Sequence, residues 1–253
     1  EQKLTYNLGA VVKTIDPALN TAVDGSTVIL NAFEGLVRLD ENEKAIPGVA
    51  KEWKVSDDGL TYTFTIRDDA KWSDGKPVTA KDFEYSWKRV LNKETASEYV
   101  YQFWYIKNAQ EYYNGKVDEK DLGIKVIDDK TLEVTLNAPT PYFAELMAFP
   151  TYMPVRQDVV EANGDKWINS PETYISNGPF KLTDYQMKDS YTFEKNENYW
   201  NKDNVKLEEL VYKMATDETS SYASLESENF DMISNVPTER IEDGKENGLV
   251  KVF

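Results

Sequence analysis

Chemistry in this chain has to come from carboxylates, hydroxyls and amides, because the sequence holds no histidine and no cysteine. That absence removes Ser-His-Asp triads, cysteine nucleophiles, thiolate or imidazole zinc sites and disulfide frameworks. The commonest general base goes with them. A pair of carboxylates remains available, and glycoside hydrolysis needs no more than that. Asp57, Asp58 and Asp74 are the acids that invite the reading. Their contexts argue against it: adjacent side chains in a strand or turn point to opposite faces, and Asp57-Asp58-Gly59 and Ser73-Asp74-Gly75 are ordinary turn sequences. No catalytic or metal-ligating residue is assigned, and no cofactor is expected.

Charge narrows the partners. Asp and Glu number 45 against 29 Lys and Arg, a net charge of −16. A phosphate-binding face needs clustered Lys and Arg, so nucleic acid is excluded as a partner. Direct adsorption to anionic lipid is disfavoured for the same reason; the acidity reads as solubility. With 253 residues, 40% hydrophobic and 13% aromatic, the chain can bury a real core in one or two compact units. No apolar run approaches the roughly 20 residues of a membrane span. The start, Glu1-Gln2-Lys3-Leu4-Thr5-Tyr6, has no signal-peptide apolar core. That leaves a cytosolic protein or one whose leader has been removed.

The elements that would position any site alternate between strand and helix periods. Leu4 to Leu8 reads as a strand, followed by a turn-rich stretch around Asp16-Pro17. Val28, Ile29, Ala32, Phe33 and Leu36 follow helical spacing and predict a helix over Ser26 to Leu36, with Ser26 as N-cap and Gly35 near its end. Leu60 to Ile66 has a strict period of two and, with the Asp57-Asp58-Gly59 turn, predicts a hairpin. Thr79 caps an amphipathic helix carrying Phe83, Trp87 and Val90. A strand follows at Thr131 to Leu136, and Pro139, Pro141, Pro150 and Pro154 then suggest an exit from one unit into another. Beyond it come a hairpin within Gly178 to Trp200, a strand at Leu207 to Met214, a helix at Ser220 to Glu228 and a strand at Phe230 to Ile233. Val250-Lys251-Val252-Phe253 looks like the start of another strand, which predicts a fragment of a longer chain. The fold class is mixed α/β.

Several blocks fall in a recognisable order: Asp16-Pro17-Ala18-Leu19, Phe33-Glu34-Gly35-Leu36, Pro47-Gly48-Val49-Ala50, Trp53, Ser56 to Phe64, Lys71 to Phe83 and Ser86-Trp87-Lys88-Arg89. Asn177-Gly178-Pro179-Phe180 and Asn196-Glu197-Asn198-Tyr199-Trp200 continue the series. Together they resemble the oligopeptide- and dipeptide-binding proteins of ABC importers, through essentially the whole chain. Most of these residues identify a fold without touching a ligand. Trp53, Phe64, Trp72, Phe83 and Trp87 read as core aromatics, and Asn177-Gly178 as a turn.

The resemblance implies a periplasmic-binding-protein-like (type II) fold, in which two lobes close on a peptide. Residues 1–40 and 160–253 would form the incomplete ligand-binding lobe and residues 41–159 an inserted α/β subdomain, with the opposite lobe missing. It implies an extracytoplasmic component that captures oligopeptides through main-chain hydrogen bonds and delivers them to permease subunits. A transporter accepting many sequences must hold what all peptides share, with roomy hydrated pockets for their side chains. By motif order Thr21, Ala22 and Val23 fall where the family pairs with peptide backbone, Tyr99 matches a tyrosine reaching the ligand from the subdomain, and Asn235 falls near cleft-side polar positions. Each also has an ordinary structural reading: Val23 as a helix-entry or loop residue, Tyr99 as one more packed or surface aromatic beside Tyr101, Phe103, Trp104 and Tyr105, and Asn235 as a turn residue before Val236-Pro237. Some members of the family bind sugars or metal chelates; the lack of histidine weakens the metal option and leaves an oligosaccharide as the alternative ligand. A monomer is expected. The composition suggests a cell-surface lipoprotein of a Gram-positive bacterium, held to the membrane only through a removed lipid-anchored leader, or else a periplasmic protein.

Overall fold

The computed structural model describes residues 2–251. Strand β1 (Lys3–Asn7) leads through a long loop into helix α1 (Val23–Ala32). This helix lies about one turn earlier than its apolar spacing predicts. Ser26 is not the cap: its amide already donates to the Ala22 carbonyl at 3.0 Å as part of the first turn, and Ala22 is the N-cap residue. Gly35 does not terminate the helix either. Phe33 is extended, and a Cβ on Gly35 would stand 2.3 Å from the Met147 carbonyl oxygen, so close backbone approach requires the glycine.

The short strands β2 (Val37–Leu39) and β3 (Ala45–Pro47) pair with each other. Strands β4 (Ala50–Val55) and β5 (Thr61–Ile66) form the expected hairpin, with Gly59 at φ +74° in its turn. On β5 Tyr62, Phe64 and Ile66 are buried while the threonines between them are half-covered. Helix α2 (Ala80–Val90) begins where Asp82 reaches back to accept the Thr79 amide at 2.8 Å, and it buries Phe83, Ser86, Trp87 and Val90. The Trp87 indole donates to the Tyr152 carbonyl at 2.8 Å. After α3 (Ala109–Tyr113), strands β6 (Ile124–Asp128) and β7 (Thr131–Thr135) complete an antiparallel four-stranded sheet in the order β4-β5-β7-β6. Cross-strand pairs such as Phe64 with Leu132 and Tyr62 with Val134 face its core.

The proline-punctuated stretch contains helix α4 (Phe143–Leu146) and is followed by α5 (Gln157–Asn163). Strands β8 (Phe180–Gln186), β9 (Ser190–Lys195) and β10 (Glu209–Lys213), helix α6 (Glu218–Glu226), strand β11 (Met232–Ile233) and helix α7 (Ile241–Glu246) follow. They build the second main sheet, ordered β11-β1-β10-β9-β8, in which β1 runs parallel to both β10 and β11. Leu210, Val211 and Tyr212 are all buried on β10, because the strand is interior and both its faces are covered. Val250 and Lys251 form no strand, and Val252 and Phe253 lie outside the described residues. Among the described residues no helix is long and apolar enough to cross a membrane.

Candidate ligand-binding edge

Strands β1, β10 and β11 end side by side, and in open α/β sheets the crevice outside the carboxyl ends of parallel strands is where ligands sit. The loop leaving β1 is pinned by Asp16. Its carboxylate is buried and accepts from Arg89 at 2.8 and 2.5 Å and from the Trp167 indole at 3.1 Å, while Oδ1 also takes the Ala18 amide at 2.9 Å. Asn20 comes next, buried, with its side-chain amide folded onto Ala22.

That anchoring presents Thr21, Ala22 and Val23 at the start of α1. All three are exposed, and Val23, the first residue of α1, retains 84% of its surface. Among the described residues the Thr21 and Val23 amides have no protein acceptor. Tyr99 joins them: its hydroxyl donates to the Thr21 carbonyl at 3.3 Å, and its half-buried ring packs edge-on against Phe149 at 5.5 Å and Tyr101 at 5.9 Å. Asn235 is exposed just past β11 and lies over Gly9, where a Cβ would stand 2.7 Å from its Nδ2. No hydrogen bond or ring contact among the described residues links Asn235 to the other four.

A second cluster was not foreseen. Glu34 is buried and accepts the Tyr199 hydroxyl at 2.5 Å and the Trp200 indole at 2.6 Å. Arg38 approaches its carboxylate at 3.5 Å, and the Arg67 guanidinium lies over the Trp200 ring, 3.4 Å from its centroid. Asn177 brackets the same residue from the other side, accepting the Glu34 amide at 3.0 Å and donating to its carbonyl at 2.9 Å. Burial drives the Glu34 carboxyl up from 4.5 to about 7, against the pull of the Trp200 and Tyr199 hydrogen bonds and the Arg38 and Arg67 charges. A cavity of about 450 Å³, lined in part by Leu30, Phe33, Arg38, Met153 and Tyr199, opens beside it. Three separated motif blocks thus meet at one buried acid. The signal was a glutamate fixed inside an apolar block, Phe33-Glu34-Gly35-Leu36.

The carboxylates that suggested catalysis are dispersed on structural tasks. Asp58 accepts Ser56 Oγ at 2.5 Å and the Leu60 amide at 3.0 Å within the β4–β5 turn. Both oxygens of Asp74 are held by Arg156 at 2.9 Å.

The fold is of mixed α/β architecture, with one antiparallel and one mixed sheet. The model of the bacterial extracellular solute-binding proteins, family 5 (middle region), matches residues 44–253, and the chain belongs to this family. It is 42% identical over 255 residues to the oligopeptide-binding protein OppA of Bacillus subtilis, covering 98% of this chain and 46% of that protein. It is also 42% identical over 209 residues to the dipeptide-binding protein DppE of the same organism, covering 83% of this chain and 38% of that one. Among solved structures, a Bacillus anthracis oligopeptide ABC transporter substrate-binding domain superposes with a TM-score of 0.93 at 38% identity, over 98% of this chain and 48% of that one. Haemophilus influenzae OppA in complex with RPPGFSPFR gives 0.92 at 33% identity, over 98% and 49%. The chain spans about half the length of the relatives it matches.

Proposed function

We propose that this chain supplies one wall of an extracytoplasmic protein that captures oligopeptides by their main chains and delivers them to the permease subunits of an ABC importer, without catalysis. The observation that carries the proposal is the edge at Thr21–Val23: an exposed segment at the start of α1 whose Thr21 and Val23 amides have no protein acceptor among the described residues, tied to Tyr99 by a hydrogen bond. Such an edge offers hydrogen bonds that any peptide can satisfy and no side-chain chemistry that would select one. In this proposal Thr21, Val23 and Tyr99 meet the ligand, Ala22 sets the line of the segment, and Asn235 contributes from the end of β11.

We further propose that residues 1–40 and 160–253 form the ligand-binding lobe and 41–159 the inserted subdomain. Supporting this, the sheet containing β1 draws only on strands before residue 8 and after residue 179, while the antiparallel sheet uses strands between residues 50 and 135. The opposing lobe lies outside this chain, the protein acts as a monomer, and a lipid anchor or the periplasm keeps it outside the cytoplasm. The test is calorimetry on the intact protein with a mixed tripeptide pool against an oligosaccharide set. Heat from peptides alone is expected, and binding of oligosaccharides with no response to peptides would replace this reading with the sugar-binding one.

A further inference from the structure

We propose that the cavity beside Glu34 is a second ligand site, which takes a small apolar monoanion with its charge on Arg38 and its hydrocarbon body against α1 and β2. The site is distinct from the Thr21–Val23 edge. That edge lies at the first turn of α1 and Glu34 just past its last residue, about 15 Å away along the helix axis. The cavity holds about 450 Å³ and its apolar wall includes Leu30 and Phe33 from α1, Leu39 from β2, Met153 and Val205. Leu30 and Leu39 keep 47% and 44% of their surface exposed. Its ionisable lining groups are Glu34, Arg38 and Tyr199. An apolar hollow with a few convergent polar groups is the ordinary form of a small-molecule site.

Charge decides what fits. Arg38 is half-buried and donates from Nε to the Pro47 carbonyl at 3.1 Å, and among the described residues its acidic partner is Glu34, at 3.5 Å. The groups facing the Glu34 carboxyl are Tyr199 and Trp200 from the β9–β10 connection, Arg38 from β2 and Arg67 from the end of β5. Arg67 is committed elsewhere, to Asp69 at 2.8 Å and to the Trp200 ring. Burial and the neighbouring Glu34 push the Tyr199 hydroxyl well above its ordinary value, so it stays protonated. Burial also keeps Glu34 protonated up to about pH 7. A protonated Glu34 leaves the Arg38 guanidinium without a counter-ion, beside a wall that is otherwise apolar. An anion with a hydrocarbon body satisfies both; a neutral molecule leaves the charge unpaired. Above pH 7 Glu34 ionises, supplies the counter-ion itself and competes with the ligand for Arg38.

The test is calorimetry on the intact protein with octanesulfonate, which is anionic at every pH used, and octanol as its neutral counterpart. At pH 6 octanesulfonate should bind about tenfold more tightly than octanol, the worth of one hydrogen bond to a charged group. Raising the pH to 8.5 should weaken octanesulfonate about tenfold in wild type and leave Glu34→Gln unchanged. Arg38→Gln should bring octanesulfonate down to the octanol level at both pH values. Leu39→Glu places an acid at an exposed lining position and should do the same at pH 6; it decides the matter if Arg38→Gln or Glu34→Gln does not fold. A mixed tripeptide pool should leave octanesulfonate affinity unaltered. The proposal is overturned if wild type does not bind octanesulfonate at pH 6, or binds octanol equally well. It is also overturned by a pH dependence that persists in Glu34→Gln, by unchanged binding in Arg38→Gln or Leu39→Glu, or by displacement with tripeptides. A protein that binds octanesulfonate as described but no peptide would sink the peptide-binding reading alone.

Discussion

Replacing Glu34 by glutamine should flatten the dependence of stability on pH. The carboxyl is buried, and burial raises it from 4.5 to about 7 despite hydrogen bonds from Trp200 and Tyr199. A group raised in the folded state stabilises fully below its unfolded pKa, and that stability is lost as pH climbs through the folded value. The window therefore runs from about pH 4.5 to somewhat above 7. At about 1.4 kcal/mol per pH decade, the loss across it is about 3.5 kcal/mol. The sequence has no histidine or cysteine to titrate between about pH 5 and 8, although burial also raises the Asp82 carboxyl above its ordinary value. The carboxyls pulled down by partners, such as Asp158 beside Arg156 and Asp189 beside Lys213, have finished titrating below it. Glutamine keeps an acceptor for Tyr199 or Trp200 and carries no charge, so Glu34→Gln should match wild type within about 1 kcal/mol at pH 5 and exceed it by about 2–3 kcal/mol at pH 8. Urea unfolding at pH 5, 6, 7 and 8 measures this directly. Parallel profiles for the two proteins, or a wild type that gains stability between pH 5 and 8, would refute the reasoning.

Two further outcomes follow from the same geometry. Tyr99→Ala in the intact protein should weaken peptide binding about tenfold, by losing a ring at the edge and the hydroxyl that orients the Thr21 carbonyl, while costing no more than about 1 kcal/mol of stability; a large drop in melting temperature would mark it as core. Arg89→Ala should cost about 3–5 kcal/mol in chemical denaturation, because it strands the buried Asp16 carboxylate beside Trp167, and a loss under 1 kcal/mol would show that Asp16 is held adequately without it.

Strands β5 and β7 and helix α2 were legible because their apolar residues recur at periods of two and of three to four, and tertiary packing agreed with the pattern. Helix α1 was misplaced for a physical reason. Its N-cap Ala22 makes no side-chain capping bond, and the capping work is done from outside by Asn20, two residues before the cap. A search for Ser, Thr, Asp or Asn at the cap position finds Ser26 instead. The motif blocks proved informative about architecture: Glu34, Asn177, Tyr199 and Trp200 come from separate blocks and form one buried cluster. Their spacing in sequence reveals nothing of that convergence, since only the fold brings them together.

The candidate edge was harder to read because recognition of main chain by main chain leaves no side-chain signature. Thr21, Ala22 and Val23 have nothing in common chemically except the backbone that every residue has, so only a resemblance could single them out. The structure shows which backbone groups are already spent: the Ala22 amide on Asn20, the Ala22 carbonyl on both Asn20 and the Ser26 amide, and the Val23 carbonyl on the Thr27 hydroxyl. On the proposed reading, the exposed Val23 side chain and the Thr21 and Val23 amides, which have no protein acceptor among the described residues, are the apolar and polar groups that one extended peptide would satisfy together.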